Sequence, residues 1–192
     1  MFPELVARCS DLSGPQVATL SDHYDLLCRW NKVLNLTTIE RLEEAVERHY
    51  CESLFLAGHL PESGSFVDIG SGAGFPGFVV AAARPNCSVT LVESHQRKAV
   101  FLREASRKLP NVRVRAVRAE SITESFDWLI SRAVSYQDLS SVVPRLASRI
   151  AVLSGGEEPP AAWPFRWQTI PLPNGKQRFL RLGELFHVKQ TD

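Results

Sequence analysis

Asp68 and Glu93 are two carboxylates whose spacing around a glycine-rich run suits them to hold a nucleotide-like ligand. From Phe66 the chain reads Phe-Val-Asp-Ile-Gly-Ser-Gly-Ala-Gly-Phe-Pro-Gly, ending at Gly77. The apolar residues around Asp68 predict a buried strand, and Gly70, Gly72 and Gly74 predict a tight turn. Glycine permits positive φ and lets a ligand approach the bare main chain. A helix then begins, offering unpaired N–H groups and a positive dipole end. Pro76 suits its first turn, where a missing N–H costs nothing. Gly72-x-Gly74-x-x-Gly77 fits the dinucleotide fingerprint, although an ordinary glycine-rich turn reads the same way. Glu93 follows the apolar run Val89-Thr90-Leu91-Val92, where an acceptor for ribose hydroxyls is expected. Nicotinamide dinucleotides and S-adenosylmethionine (AdoMet) are both held like this. Asp68 leans toward AdoMet: an acid before the glycines can hold the ammonium of an amino-acid tail, directly or through water, and would repel a pyrophosphate. Capping of the turn is the plainer role for it.

Three further groups fall at strand ends or on a helix face. Arg118-Ala119-Glu120 follows a third predicted strand, where a backbone amide and a carboxylate could meet an adenine edge; a surface turn with an incidental ion pair is the alternative. Ser131-Arg132-Ala133 follows a fourth. Arg132 could bind phosphate, stack on a base or anchor a carboxylate, or else pair with Asp127 or Glu120. Arg48-His49 and Glu52-Ser53 lie on a helix, where Arg48 and Glu52 are spaced to pair and His49 to pack in the core; a polar edge presented to a substrate pocket is the alternative. Trp30-Asn31 and Asn35-Leu36-Thr37 read as a structural helix end. No Ser/His/Asp triad, P-loop lysine or metal cluster has positional support. The Asn/Asp-Pro-Pro-aromatic motif of amino-group methyltransferases is absent after the fourth strand, where Ser131-Arg132-Ala133-Val134 stands.

The elements that position these groups follow from periodicity. Apolar residues at helical spacing over 15–35 and 41–57 predict a helical cap over 1–62. Over 63–192 strands and helices alternate: strands at 65–69, 88–92, 112–117, 126–130 and 149–153, and helices at 76–84, 95–109 and 136–148, the last kinked or shortened by Pro144. This rhythm predicts an α/β fold with a doubly wound, mostly parallel sheet and a ligand at the carboxyl ends of its strands. Strands at 166–170 and 178–188, around the turn signal Asn174-Gly175, predict a terminal antiparallel hairpin. By fold analogy, such a hairpin suits AdoMet-dependent methyltransferases better than dehydrogenases.

An apolar fraction of 44% over 192 residues supports a real core. No apolar run is long enough to span a bilayer and no signal peptide is evident, so a cytoplasmic, membrane-free protein is expected, as a monomer. Cys9, Cys28, Cys51 and Cys87 are widely spread, and buried free thiols are expected rather than a disulfide or metal framework. A net charge of +1 lacks the global signature of a nucleic-acid binder, so RNA would have to meet local basic patches or a shaped pocket. Basic residues gather at Arg97, Lys98, Arg103, Arg107, Lys108, Arg113, Arg115 and Arg118, and again at Lys176, Arg178, Arg181 and Lys189. Each cluster is either a solvated face or an RNA footprint.

Taken in order, these motifs resemble the bacterial small-subunit ribosomal RNA guanine-N7 methyltransferases, the RsmG or GidB family. The resemblance runs from Tyr24, Trp30-Asn31, Asn35-Leu36-Thr37, Arg48-His49 and Ser53-Leu54 through the glycine loop with its Phe75-Pro76-Gly77. It continues in Glu93, Lys98, Phe101-Leu102-Arg103, Arg118-Ala119-Glu120, Phe126-Asp127 and Ser131-Arg132-Ala133. It implies that Gly70, Gly72, Gly74 and Phe75 line an AdoMet site, that Glu93 holds the ribose and that Ala119 and Glu120 meet the adenine. Arg132 would stand near cofactor and target base, with Arg48 and His49 as further positioning candidates. The implied substrate is a guanosine in the decoding-region loop of 16S rRNA in the small ribosomal subunit. The chain departs from the family at Glu52, where an aspartate is usual, and at Leu153-Ser154-Gly155-Gly156, where lysine-glycine is common. N7 carries a free lone pair, so no obligatory general base is expected. A methyltransferase for another substrate, a nicotinamide oxidoreductase and a non-catalytic rRNA-binding factor are the competing readings.

Overall fold

A computed structural model describes residues 1–173 and 175–186. Seven strands form one sheet in the order β3-β2-β1-β4-β5-β7-β6. They are β1 (Gly64–Ile69), β2 (Cys87–Val92), β3 (Val112–Arg115), β4 (Trp128–Arg132), β5 (Arg149–Ser154), β6 (Phe165–Pro171) and β7 (Phe179–Leu185). The first five are parallel, and β7 is antiparallel to both β5 and β6. The expected doubly wound sheet with a terminal hairpin is therefore present. Asn174 of the turn signal, Lys189 and the end of the 178–188 strand prediction lie outside the described residues.

Alternate residues of each strand feed opposite faces, the period of a pleated strand. Phe66, Ile130, Ala151 and Leu153 join one apolar cluster, while Val67, Ile69, Leu129, Ile150 and Val152 join another. Burying each such side chain contributes about 1.5–3 kcal/mol. The first cluster is covered by α1 (Phe2–Val6), α2 (Gly14–Asn31), α4 (Glu52–Gly58), α5 (Gly77–Ala83) and α6 (Gln96–Ala105). The helical cap thus shares its core with one face of the sheet. The second cluster is covered by α7 (Tyr136–Ser140) and α8 (Val143–Leu146). The single helix predicted over 136–148 is split in two, with Pro144 in the first turn of α8.

Ser13 and Gln16 form a reciprocal capping box at the start of α2, with Pro15 inside the first turn. The second predicted cap helix is α3 (Leu42–Ala45), a π-helical segment Val46–Cys51, and α4. The π segment widens the helix and shifts its register, which a 3.6-residue periodicity cannot reveal. Short α1 carried no periodic signal. It packs Phe2 edge-on against Tyr50, with ring centroids 4.8 Å apart, and brings Cys9 to Cys51. These two cysteines form a disulfide with Cα atoms 5.2 Å apart, correcting the expectation of free thiols; a sequence separation of 42 carries no sign of the pairing. Cys28 and Cys87 remain free, but only Cys87 is buried as expected; Cys28 is exposed on the surface of α2. Among the described residues no helix is long and apolar enough to cross a membrane.

Candidate cofactor and substrate crevice

Register levels the strand ends that matter. Ile69 of β1 lies beside Val92 of β2 and Ser131 of β4, so the loops after these strands open at one edge of the sheet. There the chain leaves β1 toward β2 on one side and later returns to β4 on the other. Such a switch point creates a crevice.

The glycine loop forms one wall. Gly70, Gly72 and Gly74 have φ of +72°, +53° and +95°, conformations open to glycine and costly for other residues. A side chain at Gly70 would lie 2.6 Å from Val134 Cγ2, so the loop after β4 closes against it. The loop amides are already used: Gly70 N–H donates to Val92 O, Gly72 N–H to Glu93 Oε2 and Gly74 N–H to Ser71 O. The helix start is closed as well. Asp68 is fully buried, and its Oδ2 accepts the Gly77 N–H at 3.0 Å. A Cβ on Gly77 would stand 2.5 Å from that oxygen. The Gly77 and Phe78 N–H groups at the helix start are thus occupied, and a carboxylate stands where a pyrophosphate would sit. Burial pushes the Asp68 carboxyl up to about 7, with the Gly77 hydrogen bond pulling it back. Its Oδ1 has no hydrogen-bond partner among the described residues.

Glu93, also buried, braces the loop from β2. Oε2 accepts from Gly72 and Oε1 from the His95 N–H at 2.7 Å. A cavity of about 320 Å³ opens beside it, lined by Gly70, Glu93, Ala119, Glu120, Val134 and Asp138. The structure therefore gathers Gly70, Glu93 and the Arg118-Ala119-Glu120 turn around one space, whereas Gly72, Gly74, Phe75 and Arg132 do not line it. Among the described residues, Arg118 and Glu120 form no ion pair; Arg145 instead supports the turn through the carbonyls of Glu120 and Ile122.

Arg132, His49 and Phe75 meet although 83 residues separate the first two. Arg132 Nη1 lies 2.8 Å from His49 Nδ1, and Thr37 Oγ1 lies 2.8 Å from Nε2. Guanidinium only donates, so Nδ1 is the acceptor and Nε2–H donates to Thr37. Burial, reinforced by Arg132 and Arg48, depresses His49 to about 3, leaving a neutral ring stacked on Phe75 with centroids 4.6 Å apart. Burial also lowers Arg132 to about 10, still charged at neutral pH. Neither Asp127 nor Glu120 pairs with it: Asp127 binds Ser65 instead. Arg48 and Glu52 also do not pair. Arg48 reaches Glu44, and Glu52 bonds Arg178 from the approach to β7. Ala133, with φ of +58°, turns the chain sharply after Arg132. A second cavity, of about 440 Å³, lies on the far side of this turn and shares Val134 with the first; Arg48, Arg132, Tyr136, Ser154 and Arg178 line it.

His23 was not singled out from sequence, yet it latches the cap to the loop. Its Nε2 bonds the Ala73 carbonyl at 3.0 Å and its Nδ1 the Tyr50 hydroxyl at 2.7 Å. The carbonyl accepts, so Nε2 carries the hydrogen and Tyr50 donates to Nδ1. Burial depresses His23 to about 4 and keeps it neutral. A polar residue between buried Leu20 and Leu27, three before and four after it, was the available signal. The basic clusters are partly spent internally: Lys108 pairs with Asp22, Arg113 and Arg115 with Glu124, and fully buried Arg181 with Glu158.

The family model for rRNA small subunit methyltransferase G matches residues 16–150. The chain is 42% identical over 138 residues to the Ribosomal RNA small subunit methyltransferase G of Nitrosomonas europaea, covering 70% of this chain and 62% of that protein. It is 37% identical over 136 residues to the one of Halorhodospira halophila, covering 70% and 64%. The chain thus spans under two thirds of the length of these curated relatives. Among solved structures, a SAM dependent methyltransferase from Aquifex aeolicus superposes with a TM-score of 0.57 at 13% identity, covering 74% of this chain and 93% of that one, a likeness of fold. With a family match over most of its length, the chain belongs to the rRNA small subunit methyltransferase G family.

Proposed function

We propose that the protein is an AdoMet-dependent methyltransferase acting on N7 of a guanosine in the decoding-region loop of 16S rRNA. The observation that carries this reading is a pair of neighbouring cavities that share Val134, just after the Arg132-Ala133 turn. One has the bare Gly70 backbone and the Glu93 and Glu120 carboxylates, suited to an adenosine with a cationic tail. The other has the guanidinium groups suited to RNA. The Asp68 carboxylate at the helix start argues against a dinucleotide, because it offers a pyrophosphate repulsion in place of donors.

The residues present fit AdoMet. Glu93 would accept the ribose hydroxyls through the remaining lone pairs of oxygens that also hold Gly72 and His95. Ala119 and Glu120 would meet the adenine edge, Gly70, Gly72 and Gly74 would let the ligand lie on the main chain, and Phe75 would back the loop. Asp68, with Oδ1 unsatisfied, would favour a nearby ammonium, directly or through water. When bound, AdoMet supplies an electrophilic methyl group on a sulfonium. The chain's own task is alignment, which is worth up to about 7–11 kcal/mol in favourable cases. Arg132, held by His49, whose ring is in turn fixed by Thr37, would fix the flipped-out base together with Arg48. His49 is a positioning residue: neutral, with its Nδ1 lone pair spent on Arg132, it is not a base in waiting. N7 needs none, since its lone pair is available at neutral pH. The test is to map N7-methylguanosine in rRNA from cells with and without the protein, beside calorimetry with AdoMet. Loss of the mark in the deleted strain is expected. A folded protein that binds neither AdoMet nor its demethylated product would overturn the reading in favour of a non-catalytic factor.

A further inference from the structure

We propose that the cavity walled by Arg48, Arg132 and Arg178 is a phosphodiester subsite, which takes an RNA backbone phosphate beside the target nucleotide with Arg178 as a direct ligand. The proposal rests on RNA being the substrate, as proposed above. Arg178, Ser154 and Gly155 lie beyond the stretch that carries the family match, so the subsite is built partly from the terminal hairpin.

Three guanidinium groups converge here from separate elements: Arg48 from the π segment, Arg132 from the end of β4 and Arg178 from the approach to β7. Gathering like charges costs stability unless counter-charges answer them. The available carboxylates fall short. Glu52 answers Arg178, and Glu44 reaches Arg48 only at 3.4 Å on an exposed surface. Arg132 has no carboxylate within ion-pair distance among the described residues, its nearest polar partner being the neutral His49 ring. Glu157 also lines the cavity, but it is exposed and forms no ion pair with these arginines among the described residues. Glu52 also acts on Arg132 through space, but two carboxylates face three guanidinium groups, so the cavity carries an excess of positive charge beside the proposed transfer site. Guanidinium forks match phosphate oxygens in geometry as well as charge.

The wall is held in place rather than loosely draped. Buried Arg181 donates to Ser154 Oγ at 3.0 Å, to Thr169 and to Glu158, which fixes the loop after β5. The Tyr136 hydroxyl donates to Ser154 Oγ at 3.4 Å, which leaves the Ser154 O–H as a neutral donor, and Arg178 Nε is buried without a hydrogen-bond partner among the described residues. Glu52 competes for Arg178 from inside the protein, so removing its charge raises the positive potential an incoming phosphate meets.

The test measures affinity for small ribosomal subunits from cells lacking this protein, across KCl concentrations at constant magnesium, with AdoMet affinity measured separately by calorimetry. Arg178→Gln is expected to weaken subunit binding and to reduce the slope of log K against log salt by about one, the signature of one lost phosphate contact. Glu52→Gln is expected to tighten subunit binding, which loss of a merely structural ion pair would not do. The double variant E52Q/R178Q leaves no buried carboxylate unpaired and is expected to bind like Arg178→Gln; it carries the comparison if the single variant fails to fold. AdoMet affinity should stay unchanged throughout. An unchanged salt slope in the Arg178 variants, or weaker binding by Glu52→Gln, overturns the subsite. So does a loss of AdoMet affinity with subunit binding intact, which would assign the cavity to the cofactor's carboxylate. Wild-type protein that binds subunits but no AdoMet would remove the proposed activity and leave the slope comparison to decide the subsite.

Discussion

Asp68→Asn is expected to make the protein more stable at pH 8. In the unfolded chain this carboxyl releases its proton near 3.8, whereas burial in the folded protein holds the proton until about 7. Between those values the folded state binds more protons than the unfolded state, so this group's contribution falls as pH rises and stays low above about 7. Holding a proton from 3.8 to about 7 corresponds to about 4 kcal/mol, at about 1.4 kcal/mol per pH unit. Movement of the loop or entry of water reduces that figure, and a gain of about 2 kcal/mol is easily resolved by urea unfolding. Asparagine keeps an oxygen for the Gly77 N–H and places its nitrogen where Oδ1 already lacks a partner. Wild type and variant must be compared at each pH, because neutral His23 and His49 push the wild-type curve the other way below 6.5. The difference should be near zero at about pH 4 and open toward pH 8. If Asp68 serves a cationic cofactor tail, AdoMet affinity in the wild type should rise with pH up to about 7, and the variant should lose that rise. A variant less stable than wild type at pH 8, or a difference that ignores pH, would refute the reasoning.

Arg132→Ala should weaken AdoMet or subunit binding by about 1–3 kcal/mol, the cost of losing a hydrogen bond from a charged, partly buried group; unchanged methylation would remove it from the site. Gly70→Ala places a side chain at φ +72° and 2.6 Å from Val134 Cγ2, so a loss of about 1–3 kcal/mol in stability with weaker AdoMet binding is expected, and a parent-like melting temperature would contradict it. His23 takes a proton at 6.5 when unfolded but only near 4 when folded, so its contribution is lost as pH falls through that window, by about 3 kcal/mol at most; His23→Gln should flatten the acid side of the urea-stability profile. Single-turnover methylation should show no steep log-linear rise between about pH 6 and 9, since a rise would require a general base.

Contiguous features were legible in the chain. The glycine loop, Glu93 and the alternation of strands and helices each write their geometry into neighbouring residues, and the doubly wound class follows from them. Contacts between distant segments were not. Arg132 and His49 stood out separately, but nothing in an 83-residue separation says that they touch. Helical spacing suggested Arg48 with Glu52, and the π segment and the hairpin rearranged both partners. Asp68 was ambiguous because capping and ligand binding ask for the same acid at the same place. Arg181 looked like part of a surface cluster until the fold enclosed it.

β7 reaches the sheet after β6 yet lies between it and β5. Loss of residues 179–185 would therefore do more than shorten the sheet. It would bare the hydrogen-bonding edge of an apolar strand, Ile150-Ala151-Val152-Leu153, and leave β6 with no neighbour. Such an edge pairs readily with another chain, so a premature stop in this stretch should yield aggregates rather than a smaller working protein.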